Sequence, residues 1–231
     1  MSGIIAMADA SSVLMLTDGA GTNGVGHLQW IGSKVLLMPE WPGVVAVRGP
    51  SQFLWALRTH WGVEVPSFDV ALARVVEDGQ IVEEMHRLHR YPLTEWEIVL
   101  AGWSEERQAF EVWDVYGGPI PDFEDHPPLT LRKMVGAMGA WPAPDQDKVE
   151  ALGLHLKPDK PRPVVETAGL IMLAMRASQQ PDPRDPSRGH HTIGGFMQET
   201  IVTHEGMSTR IIHRWPDRIG EPINPHGGVN S

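Results

Sequence analysis

The sequence predicts one α+β domain built mainly on antiparallel strands, and three observations carry that reading. Its apolar patterns run in the order strands, helices, strands, a proline-rich connection, a helix and strands again, whereas a parallel sheet would alternate strand and helix. The strand-like runs come in close pairs, with connections that suit hairpins and are too short for crossovers. Finally, 231 residues, 42% hydrophobic and 21% charged, suffice for one sizeable core.

Gly3–Ala8 (GIIAMA) and Ser12–Thr17 (SVLMLT) are apolar runs of strand length, and the polar Asp9-Ala10-Ser11 between them predicts a hairpin. Lys34–Met38 (KVLLM) and Gly43–Arg48 (GVVAVR) form a second pair around the turn Pro39-Glu40-Trp41-Pro42. Strands apolar on both faces belong inside a layered fold. Ser51 is placed to cap a helix over Gln52–Trp61, with Phe53, Leu54, Leu57 and Trp61 on one face. Ser67 is placed to cap a longer helix reaching Tyr91, with Val70, Val75, Ile81, Met85 and Leu88 inward and a break at Gly79. Glu97–Trp103 and Ala109–Val115 predict a third hairpin around Ser104–Gln108.

Residues 116–163 hold nine of the twenty prolines and read as an irregular insertion with a short helix at Asp145–Leu152. Val164–Gln180 predicts a helix with an apolar stripe through Leu170, Leu173 and Ala174, followed by a Pro-Asp-Pro-Arg-Asp-Pro loop. Thr192–Phe196, Glu199–His204 and Thr209–Trp215 are expected to be closing strands with a turn at Glu205-Gly206. The domain is expected over residues 1–218, with a flexible tail over 219–231.

Twenty-nine acidic against nineteen basic side chains give a net charge of −10, which argues against nucleic acid as a partner. No run of about 18 uninterrupted apolar residues is present, so no membrane span is expected. The opening residues lack a basic leader and carry Asp9 and Asp18, so they do not read as a secretion signal and a cytoplasmic location is expected. The absence of cysteine excludes disulfides, thiolate metal sites and cysteine nucleophiles. Gly19–Gly24 matches G-x-G-x-x-G, but the glycine-containing Val25–Ser33 that follows leads straight to a strand with no room for the helix a dinucleotide site needs. Nucleotide binding is therefore a distant alternative, and no cofactor is expected.

Three polar residues of the opening segment belong together. Ser2 would be the first residue after removal of Met1; Asp18 closes the second strand and Lys34 opens the third, each step being sixteen residues. A hairpin returns the end of the second strand beside the start of the first, which brings Asp18 to Ser2, and the next strand can deliver Lys34 to the same place. Ser2-Gly-Ile-Ile-Ala, Leu16-Thr-Asp-Gly-Ala, Ser33-Lys-Val and Val45-Ala-Val-Arg-Gly together resemble the proteasome-type β-subunits of the N-terminal-nucleophile hydrolases, including the bacterial peptidase of a two-component protease. Ile98-Val-Leu-Ala-Gly-Trp with Phe110-Glu-Val-Trp-Asp-Val, and Ile193-Gly-Gly-Phe, are similar to later hairpins of that family.

The resemblance implies a four-layer αββα sandwich, two antiparallel sheets between helix layers. It also implies an amide hydrolase, most simply a peptidase, in which the Ser2 hydroxyl attacks and the freed α-amine acts as base. Asp18 and Lys34 would tune that amine, and the main-chain N–H of Ala46 would face the oxyanion. Assembly into a homo-oligomeric ring, peptide or protein substrates and an ATPase partner belong to the same implication. The chain departs from the family in using Ser for Thr, and in placing His190 and Ile193 where a supporting acid and hydroxyl are expected. The rival reading is a non-catalytic relative kept as an assembly module, with Asp18–Lys34 as a structural ion pair. His86 and His89, three apart on a helix, could ligate a metal, and His190-His191 adjoin a glycine pair, but the sequence places no third ligand and has no HExxH, so a solvated face is expected. Trp55, Trp61, Trp103 and Trp113 read as core or subunit-contact anchors.

Overall fold

Alternating or wholly apolar runs of four to nine residues pair with their sequence neighbours to give most of the sheet structure. The computed structural model describes residues 3–88, 95–117, 127–134, 139–141, 143–154, 163–182 and 185–226. The first hairpin joins β1 (Ile4–Ala8) to β2 (Ser12–Asp18), with Asp9 Oδ1 accepting from the N–H groups of Ser11 and Ser12 to close the turn. A small hairpin follows, β3 (Ala20–Thr22) with β4 (Leu28–Ile31), then β5 (Val35–Met38) with β6 (Gly43–Arg48). After two helices come β7 (Trp96–Ser104) with β8 (Ala109–Gly117), the two-residue β9 (Arg132–Lys133), and β10 (Gly139–Trp141). The chain closes with β11 (Gln180–Asp182), β12 (Asp185–His190), β13 (Phe196–Thr203) and β14 (Gly206–Arg214).

Two five-stranded antiparallel sheets result, ordered β10-β1-β2-β13-β14 and β5-β6-β7-β8-β9. Ile4, Ala6, Val13 and Met15 of the first meet Val44, Ala46, Val99, Ala101 and Val112 of the second in a dry layer between them. Helices α1 (Ser51–Glu64) and α2 (Phe68–Leu88) cover the outer face of the second sheet. Phe53, Leu57, Trp61, Phe68 and Val75 are buried there against Val45, Ile98 and Leu100. Each large indole buried in this layer finds an acceptor for its N–H: Trp41 on the Val65 carbonyl, Trp61 on Asp78 and Trp96 on Glu83. Helix α4 (Val164–Ala177) lies on the first sheet, with Ala168, Met172 and Met175 packed on Ile5 and Leu16; the six-residue α3 (Gln146–Ala151) packs against α4.

The expected four-layer αββα sandwich is corrected. Among the described residues the chain is mostly antiparallel sheet, fourteen strands in four sheets against four helices. The helices do not form matched outer layers: one sheet carries two long helices, the other one long helix and a single-turn attachment. Beyond these, β14 runs bare along the edge, with eight of its nine residues exposed. The reason lies partly in two segments read as loops. Gly19–Ile31 and the Pro-Asp-Pro segment fold into the hairpins β3–β4 and β11–β12, each a separate two-stranded sheet.

Other elements differ in detail. Gly79 does not break α2; it is the point where the helix touches Trp96, since a Cβ there would come within 2.6 Å of the indole. Ser67 caps α2 through the N–H of Val70, whereas the cap position of α1 is Pro50. Ile81 and Leu88 are exposed, and the Met85 side chain lies outside the described residues. In α4 Ala174 is buried as expected, but Leu173 is exposed, and Ala168, Met172 and Met175 are the residues packed on the sheet. Thr192–Gly195 is a loop, leaving two closing strands. Trp61 is core, but Trp55 stands in solvent.

The tail expected from residue 219 is docked through Asn224. Gly220 and Glu221 hydrogen-bond the backbone of Leu28, and Ile223 is buried against Ala20 and Leu28. Residues 227–231, like much of the 116–163 insertion, lie outside the described residues. No helix among the described residues is long and apolar enough to cross a membrane.

Candidate active site around Asp18 and Lys34

The end of β2, the start of β1, the residue ahead of β5 and the loop ahead of β13 converge on one carboxylate. Asp18 is fully buried, and each of its oxygens accepts two hydrogen bonds. Oδ1 takes the N–H of Gly3 at 2.8 Å and the ammonium of Lys34 at 2.5 Å. Oδ2 takes the N–H groups of Ala20 and Gly194, both at 3.0 Å. The Asp18 N–H in turn donates to the Gly3 carbonyl at 3.1 Å, so Gly3 and Asp18 hold each other by two bonds. Gly3 is closely packed: a Cβ there would sit 2.8 Å from Met172 Sδ and 3.0 Å from Ile193 Cδ1, so those side chains would have to shift.

Lys34 is 3% exposed. Burial pushes its ammonium below the ordinary lysine range, and the Asp18 carboxylate beside it works in the opposite direction. Lys34 thus parts with its proton more readily than a surface lysine while remaining anchored to a carboxylate.

The chain places the sequence-predicted residues as follows. Asp18 and Lys34 are in direct contact. Ser2 lies outside the described residues; its neighbour Gly3 donates to the same Asp18 oxygen as Lys34. Ala46 stands opposite Val35, the residue after Lys34, and opposite Val99. Because β5 begins at Val35, the last two residues of β6, Val47 and Arg48, run on with β7 alone beside them. Ile193 is buried with its carbonyl on Arg176, and His190 packs over Gly26. Gly19–Gly24 leads into β3–β4, with no helix before β5.

Sequence reasoning missed Ala20 and Gly194 as ligands of Asp18. Ala20 lies two residues from Asp18 and had a local signal, a turn directly after the strand. Gly194 lies 176 residues away and had none beyond its place in a glycine pair. Thr17 and Thr192, on either side of this site in sequence, have buried hydroxyls without a hydrogen-bond partner among the described residues.

The imidazole of His191 lies with Nδ1 3.0 Å from the carbonyls of Arg176 and Ser178, both acceptors, so Nδ1 carries the hydrogen. Burial holds this ring's pKa below the usual histidine value, in keeping with a neutral, structural role. The side chain of His86 and all of His89 lie outside the described residues, and no three His, Asp or Glu among the described residues group as they would around a metal. No protein-family model matches this chain, and no curated protein matches it.

Proposed function

We propose that this chain hydrolyses an amide, most simply a peptide bond, with the Ser2 hydroxyl as nucleophile once the chain is freed immediately ahead of it. The observation that carries the reading is the sharing of Asp18 Oδ1 by the Gly3 N–H and the Lys34 ammonium. Each is one hydrogen bond from the same oxygen, so the backbone of Gly3, the residue after Ser2, is held beside a buried lysine of altered basicity.

In the proposed reaction the α-amine of Ser2 takes the hydroxyl proton as Oγ bonds to the substrate carbonyl carbon. The C–N bond breaks, and the ammonium returns the proton to the leaving amine. Water, deprotonated by the same amine, then releases the acid from the ester. Lys34, held by Asp18, disfavours protonation of its neighbour and stabilises negative charge on Oγ. The oxyanion is met by the backbone N–H of Ala46 near the end of β6. Ring assembly and an ATPase partner follow from the family resemblance alone.

The test is acylation by an activated ester. The expected result is a mass adduct on a peptide that begins at Ser2, absent in Ser2→Ala and slowed by about 10²-fold or more in Lys34→Met. Natively produced protein that keeps residues ahead of Ser2, or Ser2→Ala acylated as fast as the parent, would refute the proposal and favour an assembly module in which Asp18–Lys34 is structural.

A further inference from the structure

The loop that supplies Gly194 to Asp18 is gripped from its other side by a second carboxylate. Gly195, the next residue, donates its N–H to Asp217 Oδ2 at 2.7 Å. Asp217 is held by both arms of Arg176: Nη2 donates to Oδ1 at 2.8 Å and Nη1 to Oδ2 at 2.9 Å. Arg176 Nη1 also donates to the Ile193 carbonyl at 2.7 Å, Nη2 donates to the Asn224 carbonyl at 2.9 Å, and the guanidinium lies 4.6 Å from the Trp215 ring centre. Arg176 is 2% exposed. The glycines are needed for this approach. A Cβ on Gly194 would fall 2.5 Å from Asp217 Oδ2, and Gly195 adopts φ +72°, where side chains are strained.

One peptide unit joins the two carboxylate sites. The carbonyl of Ile193 and the N–H of Gly194 belong to the same rigid plane and point in opposite directions. Arg176 holds the oxygen end and Asp18 Oδ2 holds the hydrogen end. That plane cannot turn at one end without turning at the other. A cation on the carbonyl also polarises the amide and strengthens its N–H as a donor. Burying an arginine is costly, and a buried pair contributes little net stability compared with apolar packing. Its geometry nonetheless specifies the orientation of the 193–194 peptide.

We infer that Arg176 and Asp217 are positioning residues that fix the orientation of Asp18, and through it Lys34, by locking the Ile193–Gly194 peptide. The inference rests on the reading of Asp18–Lys34 as the working pair, and it extends that pair to two residues that touch neither Lys34 nor Gly3. If the lock is released, Asp18 loses a directional donor and turns from Lys34, whose ammonium then loses part of its stabilisation in a buried place.

The experiment is an NMR titration of the Lys34 side chain in the full chain, with hydrogen exchange at Gly194, in Asp217→Asn. The expected result is a Lys34 midpoint lower by about one pH unit and faster exchange at Gly194. Glu111→Gln, at the opposite end of the second sheet from Lys34, serves as a control that alters stability without moving Lys34. An unchanged Lys34 midpoint in folded Asp217→Asn would overturn the inference whatever its melting temperature. Should Asp217→Asn fail to fold, Arg176→Lys, which keeps the charge and loses the fork, decides by the same two measurements. Neither measurement needs turnover, so the acylation assay and this titration fail independently.

Discussion

Two buried ion pairs, Asp18–Lys34 and Glu97–Arg48, look alike by burial and differ in what surrounds the acid. The Asp18–Lys34 contact is 2.5 Å with side chains 0% and 4% exposed; the Glu97–Arg48 contact is 3.1 Å with side chains 5% and 3% exposed. Asp18 sits among three backbone N–H groups and an ammonium, one pair of donors on each oxygen. Glu97 accepts from Arg48 but lies near a second acid, Asp114, itself held by Arg132. Burial drives the Glu97 pKa up to about 7, Arg48 opposes the rise and Asp114 adds to it. Two carboxylates buried to the same degree thus differ in the number and aim of their donors, and backbone donors are the ones whose position is set by the fold.

The sharpest way to break the comparison is to remove the acid with the denser shell. Asp18→Ala leaves an ammonium and three N–H groups without their acceptor in a dry site, and loss of one partner from a buried pair costs about 3–5 kcal/mol. Urea denaturation should show a loss in that range, and a loss below about 1 kcal/mol would mean that the four bonds are replaced by water. Glu97→Gln should behave differently, because it removes a charge that burial already disfavours.

That second effect is visible in pH dependence. Glu97 binds its proton more tightly in the folded chain, where its pKa is about 7, than as an ordinary glutamate at 4.5. Its contribution to stability is therefore fully present below about pH 4.5 and is lost as pH rises through about 7. The change is on the order of a few kcal/mol, and it is measured as a decline in unfolding free energy between pH 5 and 8. Glu97→Gln should flatten that decline. A wild-type profile that is already flat across the window would show that Arg48 keeps Glu97 ionised throughout.

The first of these sites was largely legible in the sequence and the second was not. Asp18 and Lys34 were placed correctly beside each other because consecutive hairpins return the chain at short offsets, and hairpin signals are local. The hold of Gly194 on Asp18, and of Arg176 on Asp217 across 41 residues, depends on how α4 and the C-terminal segment pack, which no local pattern encodes. The sandwich expectation failed for a related reason. Segments such as Gln180–His190 carry prolines and few apolar residues, so their pairing has no period to read, and α4 is apolar on so much of its circumference that the expected stripe included Leu173, which is exposed, and left out Met172, which is buried. Glu97 was read only as the first residue of a hairpin, and nothing in its neighbours announced that Arg48, 49 residues earlier, would lie against it.

The smallest effect lies one residue from Asp18. Thr17 alternates with Met15 and Val13 along β2, so its side chain faces the layer between the sheets, where its hydroxyl is buried with no partner among the described residues. A carboxylate whose every oxygen is met thus adjoins a hydroxyl that meets no donor or acceptor among the described residues. Thr17→Val keeps the branched shape and removes the unmet group, which should raise stability by about 0.5–1 kcal/mol. A loss of stability instead would mean that the hydroxyl has a partner, such as an ordered water. Coupled to the acylation assay, the same substitution separates two roles. If Thr17→Val is more stable and equally reactive, the hydroxyl is incidental to the site. If it is more stable and slower, the fold keeps a destabilising hydroxyl beside Asp18 because the reaction uses it, as expected where binding groups wait unpaired for a substrate.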